Sequence, residues 1–134
     1  MSDESQKYID SMAETRGYVL DYHKVMAKND FEVMKAANNV VHAAYLKPRL
    51  LDRGVKELIF IVSLTVMRAP KPQIRSHIRV ALDLGRSAQE ILEAIEIALP
   101  EAGVVAFQAG VQAWREEVDA DTLEPTVSVA DGRG

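Results

Sequence analysis

The chain has 134 residues, 48% of them hydrophobic and 27% charged, with 16 Lys plus Arg against 20 Asp plus Glu for a formal net charge of −4. This composition suits a single globular domain with its own core and excludes a disordered or fibrous chain. The acidic balance argues against a protein that tracks nucleic-acid phosphates, and the lack of any cysteine removes disulfides, thiolate metal sites, cysteine nucleophiles and redox dithiols.

Helical periodicity dominates the sequence. Residues 3–13 form a polar opening segment. From Gly17 to about Lys28, Tyr18, Leu20, Tyr22, Val25 and Met26 recur at helical spacing until Asn29-Asp30 breaks the run. Asp30 is placed to cap a helix over 31–45, whose apolar arc holds Val33, Ala37, Val40, Val41 and Ala44. Lys47-Pro48 stops it, because the residue before a proline is pushed out of the helical region. Asp52 caps a helix reaching about Arg68, and a loop follows through Ala69-Pro70-Lys71-Pro72. The next helix runs to Leu84, with Gly85 suited to its C′ position. Ser87 and Glu90 form a capping box for a helix ending near Leu99. Pro100 and Gly103 interrupt, and a last helix carries Phe107, Val111 and Trp114 on one stripe. The expected fold is all-α, about six helices in one domain over residues 1–120, with 121–134 as a C-terminal tail.

Two of these helices carry candidate chemistry. In the helix over 52–68, Arg53, Lys56 and Glu57 give way to LIFIVSLTVM, apolar at nearly every angle, so Glu57 falls where surface turns into interior. Its neighbours at i+4 and i+7 are Ile61 and Leu64, so desolvation should raise its pKa toward the range useful in proton transfer. The helix over 72–84 puts Arg75, Arg79 and Asp83 on one side and places His77 within the apolar arc. His77 is read either as a satisfied core residue or as an acid/base group held beside Glu57. His42 lies on a polar margin near Lys35 and Asn38, and His23 sits on an apolar arc near Tyr18 and Tyr22. Arg68, Lys71 and Arg75 are either a solvated patch or a mouth that steers carboxylates. Phe107 and Trp114 read as core or subunit-contact residues.

The stretches LDRGVKELIFIVSL and IRSHIRVALDLGRSAQEILEAIEIALPEAGVVAFQAGVQAW resemble the carboxymuconolactone decarboxylase and alkylhydroperoxidase-D-like superfamily over about residues 50–115. The resemblance implies an alkylhydroperoxidase-D-like orthogonal helical bundle that assembles as a homotrimer or homohexamer, with its pocket near subunit contacts. In the thiol-peroxidase branch a C-x-x-C pair precedes the Ile-Arg-Ser-His stretch. The family's Glu and His map onto Glu57 and His77. Here the cysteine positions fall in Ala69-Pro70-Lys71-Pro72-Gln73, and the segment from Glu57 to His77 is about one residue longer than in that branch, so dithiol chemistry does not carry over. The decarboxylase branch, which works without dithiol or metal, is the nearer analogy. Its acidic residue shortly before the His is replaced here by Pro72 and Gln73.

The expectation is therefore a cofactor-free, metal-free lyase or decarboxylase acting on a small carboxylated metabolite of the aromatic-degradation type. His77 and Glu57 would be catalytic, and Arg75, Arg68, Gln73, His42 and Tyr22 would bind substrate. The competing expectation is a non-catalytic oligomeric binding or scaffold protein. Neither needs a nucleic-acid or membrane partner, and the polar, acidic N-terminus and short apolar runs point to the cytoplasm. The small, apolar segment 103–114 and the all-round apolar helix both favour association between copies.

Overall fold

The computed structural model describes residues 2–119, so the expected tail at 121–134 lies outside the described residues. Among those described there are eight α-helices and one π-helical turn: α1 (Asp3–Arg16), α2 (Asp21–Asn29), α3 (Phe31–Val41), the π turn (His42–Leu46), α4 (Arg53–Val66), α5 (Lys71–Asp83), α6 (Ala88–Glu96), α7 (Ala98–Ala102) and α8 (Val104–Asp119). The all-α expectation holds, and the chain is more finely divided than about six helices.

The expected caps form. Asp30 accepts from the Val33 N–H and Asp52 from the Val55 N–H. Ser87 and Glu90 make both bonds of the capping box, at 3.0 and 2.9 Å. Three boundaries differ from expectation. Pro72 lies inside the first turn of α5, where its missing N–H has no partner to lose, so the loop is shorter than expected. Pro100 likewise falls in the opening turn of α7, splitting the expected helix to Leu99 into α6 and α7. The helix expected over 31–45 is α-helical only to Val41. It then widens, with the Lys47 N–H reaching the His42 carbonyl at 2.8 Å.

Two apolar clusters organise the molecule. The larger joins α4, α5, α6 and α8 through Ile61, Leu64, Ile74, Ile78, Ala81, Ile91, Ile95 and Ala113. Phe107, Val111 and Trp114 pack against it, and Trp114 Nε1–H donates to the Ala88 carbonyl at 2.8 Å. Gly110 lets α8 approach closely, since a Cβ there would meet Thr65 Oγ1 at 2.5 Å and Ile95 Cγ2 at 2.8 Å. The smaller cluster joins α1, α2 and α3 through Ile9, Met12, Ala27 and Met34. The π turn links the two layers by packing on both α3 and α4.

Two apolar faces are less covered than the pattern implied. On α3 the buried position is Met34, whereas Val33 and Val40 are 52% and 68% exposed. On α4, Ile59 is 48% and Met67 66% exposed, so the all-round apolar helix is covered by its own chain on one side only. No helix among the described residues is long and apolar enough to cross a membrane.

Candidate active site

Residues from both layers converge where the π turn meets α4 and α5. Glu57 comes from the second turn of α4 and is fully buried; His77, from the middle of α5, is 2% exposed. His77 Nδ1 lies 2.7 Å from Glu57 Oε2. Tyr45, buried in the π turn, donates its hydroxyl to Glu57 Oε1. Arg53, one helical turn before Glu57, places its Nε 3.6 Å from Oε1, and its Nη2 donates to Tyr45 Oη at 3.3 Å. The carboxylate thus receives hydrogen bonds from an imidazole and a phenol, with a guanidinium beside it.

Burial raises the Glu57 pKa above the ordinary carboxylate value, with the hydrogen bond and charge of His77 pulling in the opposite direction. Ile61 and Leu64, its neighbours on the same helix face, lie in the core and account for that direction, as their spacing predicts. With Nδ1–H donating to Glu57, the neutral His77 ring turns the lone pair of Nε2 toward Tyr18, whose Oη is 3.5 Å away. Phe60 stacks on the imidazole with centroids 4.5 Å apart and planes 10° off parallel, and Tyr18 meets it edge-on at 5.1 Å. These rings fix its plane, and Tyr18 reaches it from the short connection between α1 and α2. Burial also raises the Tyr18 pKa, which keeps that hydroxyl protonated near neutral pH.

The sequence reading pairs Glu57 with His77 but gives no place to Tyr45, Arg53 or Phe60. No sequence signal marks Tyr45: a π turn directs it inward, such turns often accompany functional sites, and no hydropathy period announces one. The substrate-binding candidates do not gather around the pair. Arg75 Nε donates to Glu117 at 2.7 Å, and Arg79 shares that carboxylate at 2.6 Å. Arg68 is exposed, at φ 53° just past the end of α4. Gln73 is half-buried in the first turn of α5, where its carbonyl accepts from Ser76 Oγ. Tyr22 is 56% exposed and lines a cleft between α2 and α3; His42 is exposed and lines the adjoining cleft between α1 and the π turn. His23 is a buried residue, with the rings of Tyr22 and Tyr18 tilted against it at centroid distances of 4.1 and 6.5 Å.

The chain belongs to the carboxymuconolactone decarboxylase family, whose model matches residues 32–116. That span includes Tyr45, Arg53, Glu57, Phe60 and His77 and excludes α1 and α2. No curated protein and no solved structure gives a significant match.

Proposed function

We propose that this protein is a cytoplasmic, homo-oligomeric lyase that uses His77 and Glu57 to decarboxylate, or otherwise move a proton on, a small carboxylated metabolite from aromatic breakdown. The observation that carries this reading is the 2.7 Å contact between His77 Nδ1 and the buried Glu57 carboxylate, which leaves Nε2 to exchange protons. Glu57 holds the ring in one tautomer and stabilises the imidazolium; Tyr45 and Arg53 hold Glu57. In a decarboxylation the bond to the departing carboxylate breaks, its electron pair stays on the neighbouring carbon, and the imidazolium delivers its Nε2 proton there. Entry to Nε2 requires Tyr18 to swing aside, and Tyr18 sits in a four-residue connection that starts at Gly17 with φ 87°. Dithiol peroxidase chemistry has no place, because the chain has no cysteine.

A second reading is favoured by one observation. His77 is 2% exposed, and five surface clefts of about 240–380 Å³ are lined by other residues, as in a pair that only braces two helices in a binding or scaffold protein. The two readings separate on His77→Gln, tested with carboxymuconolactone, related carboxylated lactones and small β-keto acids. Carbon dioxide release by the wild type should fall about 10²- to 10⁴-fold in the variant, with helical content and assembly mass unchanged. Equal rates in both proteins would refute the catalytic reading.

A further inference from the structure

The N-terminal layer holds a buried positive charge that has no counter-charge among the described residues. Arg16, the last residue of α1, is 3% exposed. It donates to Asn38 Oδ1, and Asn38 Nδ2 in turn donates to Tyr8 Oη at 2.7 Å. Its Nε is buried with no partner, and among the described residues no carboxylate lies within ion-pair distance of it. The end of α1 offers only a partial negative charge, and Arg53 already donates to the carbonyls of Thr15 and Arg16 there. A buried charge left in this state is costly, so it calls for an anion.

His23 adds a second observation. The Leu20 N–H donates to Nδ1 at 2.9 Å, which puts the hydrogen of the neutral ring on Nε2. That Nε2 lies 3.2 Å from Arg16 Nη1, so two donors face each other. Burial, and then the charge of Arg16, lower the His23 pKa to about 4, so the ring is neutral near pH 7. An acceptor-only group placed against both would satisfy them together.

Around these donors lies a cleft of about 270 Å³ whose remaining lining includes Tyr22, Met26, Val33 and Ala37. We propose that this cleft binds a small organic monocarboxylate, its carboxylate on Arg16 and the His23 Nε2–H and its apolar body between α2 and α3. The volume falls just under the roughly 300–1,000 Å³ of drug-sized sites, which suits a body of about one ring. The planar guanidinium matches a carboxylate in geometry, and the apolar walls disfavour a free inorganic anion. Val33 and Ala37 belong to the α3 arc that the sequence marks as apolar, and the cleft gives that arc a role. The assignment stands without the His77 reading.

Calorimetric titration of the full chain with benzoate at neutral pH tests it. The expected result is saturable one-to-one binding, with benzamide at least tenfold weaker and inorganic phosphate unable to compete. Ala37→Trp fills the cleft from an exposed position and leaves both donors in place; it should weaken benzoate binding at least tenfold, as should Arg16→Gln. Arg79→Gln removes an equal charge elsewhere and should bind like the wild type. The His23 ring resonances should shift as benzoate saturates. No saturable binding, equal affinity for benzamide, displacement by phosphate, or binding that survives Ala37→Trp would each overturn the proposal.

Discussion

Glu57 and His23 are both buried, yet they respond to pH in opposite senses. Burial raises the Glu57 pKa, so the folded chain holds that proton more tightly than the unfolded one. Its contribution to stability is complete below the ordinary glutamate range and is lost as pH rises through the folded value. His23 is the reverse. Its pKa falls from 6.5 to about 4, so its contribution is complete above pH 6.5 and is lost as pH drops toward 4. With allowance for screening at the cleft mouth, that loss is on the order of 2 kcal/mol. Urea titrations of wild type and His23→Gln at pH 7 and pH 4.5 check this: the wild type should lose more stability than the variant on acidification. Equal losses would mean that His23 is not a buried neutral imidazole. At this scale the sequence makes Glu57 legible, because a carboxylate followed by Ile61 and Leu64 on its own face has to be desolvated. Its second partner, Tyr45, was not legible, since the register of a π turn depends on how α3 meets α4.

Local chemistry accounts for most of the elements. Asp30, Asp52 and the Ser87–Glu90 box each satisfy backbone donors that a helix start leaves open, so three helix starts are readable from a few residues. Pro72 opens α5 within one residue of the expected start, whereas Pro100, expected only to interrupt, stands in the first turn of α7, because the same residue that ends one helix can open the next. The C-terminus of α4 carries a testable feature. Arg68 has φ 53°, its N–H donates to the Thr65 carbonyl at 3.0 Å, and the Ala69 N–H donates to the Leu64 carbonyl at 2.9 Å. This is the pairing that ordinarily places glycine at the left-handed position, as Gly85 does after α5 with φ 90°. Arg68→Gly should therefore stabilise the protein by about 0.5–1 kcal/mol in a urea titration. The same variant separates Arg68's two readings: unchanged turnover on an active substrate would remove it from substrate binding.

At the scale of the whole chain, apolar surface on α4 continues onto Ile97, at the junction of α6 and α7. Val62, Ser63, Val66, Met67, Ile97 and Glu101 line a shallow cleft of about 370 Å³, and Ile97 is 54% exposed. A chain with apolar surface exposed along α4 and at the neighbouring α6–α7 junction is suited to association with copies of itself. Light scattering at micromolar concentration should give a mass of three or six chains, and Met67→Glu, which puts a charge in that surface, should lower it. A wild-type mass of one chain would rule out the assembly.

The sequence alone determined the helical class, the main caps, the absence of thiol chemistry and the pairing of Glu57 with His77 through the family pattern. It could do so because helical period, capping and residue inventory are local properties, read within a few positions. Tertiary structure decided the rest. It placed Tyr18, Tyr45 and Phe60 around His77, engaged Arg75 with Glu117, and left Arg16 buried beside His23. Those outcomes depend on how two apolar clusters pack across the π turn, and the desolvation and hydrogen bonds that result arise between residues far apart in the chain.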